Sequence, residues 1–109
     1  MQIKFEGKPE MMPRASTFAS LFTELAAART RFPTNDNIVK TLIREYQDML
    51  GAMVDNVFST NLIRYMALIK VMVMCVRLLE EGDSEFSYHP PDDSIDDLLP
   101  QMIEEGNKN

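Results

Sequence analysis

Residues 61–81 read NLIRYMALIKVMVMCVRLLEE, and this stretch decides the fold. Leu62, Ile63, Met66, Leu68, Ile69, Val71, Met72, Val73, Met74, Cys75, Val76, Leu78 and Leu79 cover nearly the whole circumference of a helix. A helix that is apolar all round is a buried helix. Three helices of this size cover only part of it, and the remainder calls for another chain. Self-association through Met66, Ile69, Met72, Val73 and Val76 is therefore expected. Ser59 and Thr60 restart the chain before this helix, and Gly82 is well placed as its stop. The most apolar run, Tyr65 to Leu79, has 15 residues and carries Lys70 and Arg77. A membrane span needs about 20 apolar residues, so no membrane partner is expected.

Upstream lies the clearest periodicity in the chain. Ile38, Val39, Leu42, Ile43, Tyr46, Met49, Leu50, Met53, Val54 and Val57 form a continuous stripe at three-four spacing. The stripe predicts a helix over about 37–57, capped by Thr34, Asn35 and Asp36. Gly51 inside it costs about 1 kcal/mol against Ala and is read either as a close helix crossing or as incidental. A shorter helix over about 16–31 precedes it. Ser16 and Thr17 are its candidate caps, Phe18, Leu21, Phe22, Leu25 and Ala28 its apolar face, and Pro33 its end. The third helix spans about 60–81. The fold class is therefore all-α, a helical hairpin or three-helix bundle. At its front, Gln2 to Glu6 alternate as in a short β-like arm.

The outer parts differ in composition. The chain of 109 residues carries 17 acids and 11 bases, a formal charge of -6. Residues 1–79 hold ten bases against seven acids, while residues 80–109 hold ten acids and only Lys108. This divides the chain into a helical domain, 1–82, and an acidic, proline-interrupted tail, 83–109. Ile95, Leu98, Leu99, Met102 and Ile103 in the tail fall at helical spacing beside Asp96 and Asp97. Apolar residues among acids form a segment that folds on a partner, with a basic surface as its target. Deletion of 83–109 is then expected to leave the fold intact.

Chemistry is sparse. Four glycines make neither a phosphate loop nor a dinucleotide fingerprint. One cysteine and one histidine exclude a multi-cysteine zinc site and a His-pair metal site. Cys75 is read as a core thiol and His89 as a linker residue. No catalytic residue, cofactor or metal site is expected, and the net acidity argues against direct nucleic-acid binding. Lys70 and Arg77 are seven residues apart and share a helix face, with Arg64 opposite. Each must reach solvent, an acid of the neighbouring helix, or an anion. The lone thiol suits a reducing compartment, and the N-terminal residues lack a secretory apolar run, so a cytoplasmic location is expected. These readings converge on a small non-enzymatic factor that inhibits or regulates a larger partner, working as a homo-oligomer. An assembly chaperone or phage-like morphogenesis component is the first alternative. A binder of a small anion such as a nucleotide, through Arg64, Lys70 or Arg77, is the second.

Overall fold

A computed structural model describes residues 7–91 and Pro100. Three α-helices carry the architecture: α1 (Ala15–Arg31), α2 (Ile38–Val54) and α3 (Asn61–Glu81). A 3-10 turn at Ser84–Phe86 follows α3, and among the described residues there is no strand. Pro13–Pro90 form one unit, and a 3-10 turn at Pro9–Met11 lies outside it. The expected N-terminal arm (Gln2 to Glu6) and the tail residues Ile95, Asp96, Asp97, Leu98, Leu99, Met102 and Ile103 lie outside the described residues.

Helix α3 is the axis of the fold. Both α1 and α2 pack along it, while α1 and α2 make no backbone approach to each other. Polar bonds give the directions. Arg64 at the start of α3 donates to Ala52 and Asp55 carbonyls at the end of α2, so these two helices are antiparallel. Tyr65 donates to Ser20 Oγ at 2.8 Å, and Arg29 reaches Glu80 and Glu81, so α1 runs with α3. The buried core is narrow: Leu21, Leu25, Ile38, Ile69, Val73 and Met74.

The helix ends show where local signals hold. Thr60 caps α3 as expected, its hydroxyl accepting from Ile63 N–H at 3.2 Å. Gly82 stops α3 at φ 74, and a Cβ there would stand 2.3 Å from the Tyr88 carbonyl oxygen, so only glycine fits. Helix α2 ends at Val54, three residues short of the stripe. The Asp55 carboxylate accepts from Val57 and Phe58 N–H and turns the chain out of the helix. Those two N–H groups also hold the Asp55 carboxyl below the ordinary aspartate range. Neither Ser16 nor Thr17 caps α1, whose N-cap is Arg14 without a side-chain bond.

The start of α2 departs most from the local reading. Its N-cap is Asn37 in the left-handed conformation, with no side-chain cap of its own. The Val39 N–H is instead satisfied by the Asp83 carboxylate, at 2.8 Å, from beyond the end of α3. The segment after Gly82 thus packs with the helices. Asp83 is 0 % exposed, and its backbone pairs with Tyr88. Within Pro13–Pro90 there are eight bases and nine acids. By that count the unit is close to neutral, and Glu80, Glu81, Asp83 and Glu85 within it serve as internal partners.

Candidate functional site

Two surfaces remain once the helices are joined, one polar and one apolar. The polar one is a cleft of about 870 Å3 between α1 and α2, floored by α3. Glu24, Ala27 and Arg31 line it from α1, Lys40, Thr41, Arg44 and Glu45 from α2, and Lys70, Val73, Met74 and Arg77 from α3. Most of its charges are already engaged. Lys40 pairs with Glu85, which raises the Lys40 pKa, and Arg44 lies 3.9 Å from Glu45. Lys70 is exposed and has no ion-pair partner among the described residues.

Arg77 closes one end of this cleft. It is 2 % exposed and binds Glu81 through two bonds, Nε at 3.0 Å and Nη2 at 2.9 Å. Its Nη2 also donates to the Thr34 carbonyl at 3.0 Å. Arg29 donates to the same Glu81 at 2.9 Å, and Asn35 Nδ2 donates to the Glu81 carbonyl at 3.0 Å. Ser84 N–H adds a bond to the Asn35 carbonyl. The turn between α1 and α2 is thereby tied to the end of α3. Arg77 first, and Arg29 after it, hold the Glu81 carboxyl below the ordinary glutamate range. Arg29 is correspondingly raised by Glu80 and Glu81.

The three cations considered as anion contacts are therefore used unequally. Arg77 is buried in a structural network, and Arg64 binds the carbonyls that end α2. Lys70 alone of the three is exposed, at the cleft. The partners are not the α2 acids Glu45, Asp48 and Asp55 side chains that the sequence offers. They are a carboxylate one turn along α3, backbone oxygens, and the Asn56 side-chain oxygen, which accepts from Arg64 Nη2 at 3.3 Å.

The apolar surface lies on the other side of the same three helices. A helix turns about 100° per residue, so positions two or nine apart point in nearly opposite directions. On α3, Lys70 in the cleft stands against Leu68, Met72 and Leu79. On α1, Glu24 and Ala27 stand against Phe22 and Phe18; on α2, Arg44 and Thr41 stand against Tyr46 and Leu50. All seven of these apolar residues are exposed, Leu79 by 70 % and Phe22 by 60 %. Phe18 and Phe22 stack on each other, ring centres 5.9 Å apart. Ile43 and Val54, also exposed, extend the surface around α2.

Four expectations change here. The α2 stripe divides, for Ile38 is buried while Ile43, Tyr46, Leu50 and Val54 face solvent. The stripe is wider than the one helix contact α2 makes, which is with α3. Cys75 is exposed rather than in the core, because it lies on the side of α3 that neither α1 nor α2 covers. Of the residues assigned to an oligomer interface, Ile69 and Val73 are buried in the chain's own core. Met66 and Val76 are half-buried, and Met72 is exposed. Gly51 marks no helix crossing, since a Cβ there would meet nothing within 4 Å.

Among the described residues, no three His, Cys, Asp or Glu side chains converge as metal ligands, and no helix is long and apolar enough to cross a membrane. The chain matches no protein-family model, and neither a curated protein nor a solved structure is detectably similar to it.

Proposed function

We propose that the chain is a non-enzymatic protein-binding factor that inhibits or adapts a larger partner and works as a homo-oligomer. One observation carries this reading: on one side of the three-helix layer, from Phe22 across Leu68 and Met72 to Leu50, seven large apolar side chains stand exposed, uncovered by the helices themselves. A contiguous apolar surface of this kind marks an interaction site. The acidic tail, with Ile95, Leu98, Leu99, Met102 and Ile103 among its acids, supplies a second element suited to a basic protein surface.

Co-purification from the source cells tests the reading, with the full chain, a chain ending at Pro91, and Leu50→Glu in parallel. A larger protein should be retained at fixed stoichiometry by the full chain and lost by at least one variant. Retention of the same set by both variants, or by none of the three, overturns it.

A second reading, a small-anion binder, rests on the cleft, where Arg31 and Lys70 lie beside Lys40 and Arg44. It requires a thermal shift with nucleotides or inorganic phosphate that Lys70→Glu removes. No shift with any of them eliminates it.

A further inference from the structure

We propose that the apolar side is covered by a second copy of this chain, in a two-fold dimer whose axis crosses α3. The inference rests on the reading of that side as a protein-binding surface and names its occupant.

The first support is register. Tyr65, Leu68, Met72, Cys75 and Leu79 recur along α3 at alternating steps of three and four residues. That is the spacing of a helix seam that meets another helix by knobs-into-holes packing. All five are exposed, and none contributes to the buried core. Leu68, Met72, Cys75 and Leu79 have no partner helix in their own chain, since α1 and α2 pack against other sides of α3, while the Tyr65 hydroxyl at one end of the seam reaches Ser20 of α1. A two-fold axis through this seam brings α3 against α3 of the second copy, and it places the flanking Phe22 and Tyr46 sides against the partner layer as well.

The second support is area. The exposed apolar side chains of that side, at roughly 200 Å2 each and about half open, leave on the order of 900 Å2 to be covered. A stable dimer buries about 800 Å2 per partner. The seam also carries no charge, so closing it strips water from no ion. Lys70 and the rest of the cleft lie on the opposite side and remain open in the dimer.

Sedimentation equilibrium of the full chain at micromolar concentration tests the proposal, alongside Met72→Glu, Leu79→Glu and Lys70→Glu. The expected mass is twice 12.5 kDa for the wild type and Lys70→Glu. Met72→Glu and Leu79→Glu should raise the dissociation constant by at least about a hundredfold, with helical circular dichroism retained. Both substituted residues are exposed in the single chain, so the variants keep its core. A wild-type dimer indifferent to both variants overturns the proposal. So does a wild-type monomer, and Cys75 then separates the two ideas. Rapid Cys75 reaction with a thiol reagent leaves the apolar side open for a different protein. A protected Cys75 in a monomer means the chain covers its own side, and the protein-binding reading falls with the dimer.

Discussion

The two margins of α3 are built on opposite terms. Around its C-terminal end, Arg77, Glu81 and Asp83 join all three helices through partly buried polar bonds, and each group has its partner within the chain. Along its outer side, Leu68, Met72 and Leu79 are apolar and have none. A buried charge without its partner is far more costly than an exposed methyl group. The polar end is therefore where the fold is held, and the apolar side is where the single chain is unfinished.

The strongest way to break this contrast is to cut the chain at either side of Pro90. Deletion of 83–109 removes the Asp83 cap, the Ser84–Asn35 bond and the Glu85 partner of Lys40. It should cost at least about 3 kcal/mol in urea unfolding. Deletion of 92–109 should leave the midpoint unchanged. Equal effects from the two deletions would remove Asp83 from its role.

Next in size is Arg77→Met, which keeps the apolar stem, leaves Glu81 with Arg29 alone and orphans the Thr34 carbonyl. A loss of about 2–3 kcal/mol is expected, at the lower end because Arg29 still reaches Glu81. A smaller effect follows from acid. The folded Glu81 carboxyl titrates below its ordinary value of 4.5, so its contribution is complete above that value. It is lost as pH falls through the depressed one. Urea midpoints should drop over that window in the wild type and less in Glu81→Gln.

Two small effects sharpen the other half of the comparison. Gly51→Ala should raise stability by about 0.5–1 kcal/mol, since its Cβ meets open space in a helix interior. Leu79→Glu, measured in dilute monomer, should stay within about 0.5 kcal/mol of wild type. A large loss there would mean that the residue packs inside its own chain.

The local signals of the sequence reach the helices and little further. Helical periodicity locates all three, Thr60 and Gly82 mark the limits of α3, and the all-round apolarity of α3 announces its central place. The Asp83 cap has no such signal. It joins Val39 across 44 residues, and only tertiary contact places that carboxylate there. The Arg77–Glu81 pair was within reach of spacing alone, as an i,i+4 pair on one helix. Its burial was not, because it depends on the α1–α2 turn folding over it. The apolar side was visible only as surplus. Which residues are surplus depends on α1 and α2 taking opposite flanks of α3, so Ile69 and Val73 went to the core while Leu68 and Cys75 did not.

The central claim is that the apolar side is closed by a second copy. Cys75, exposed on that side in the single chain, reports it directly. Its rate of reaction with a thiol reagent, followed from nanomolar to tens of micromolar protein, should fall steeply as the dimer forms. A rate independent of protein concentration, in a chain that remains folded, would contradict the account.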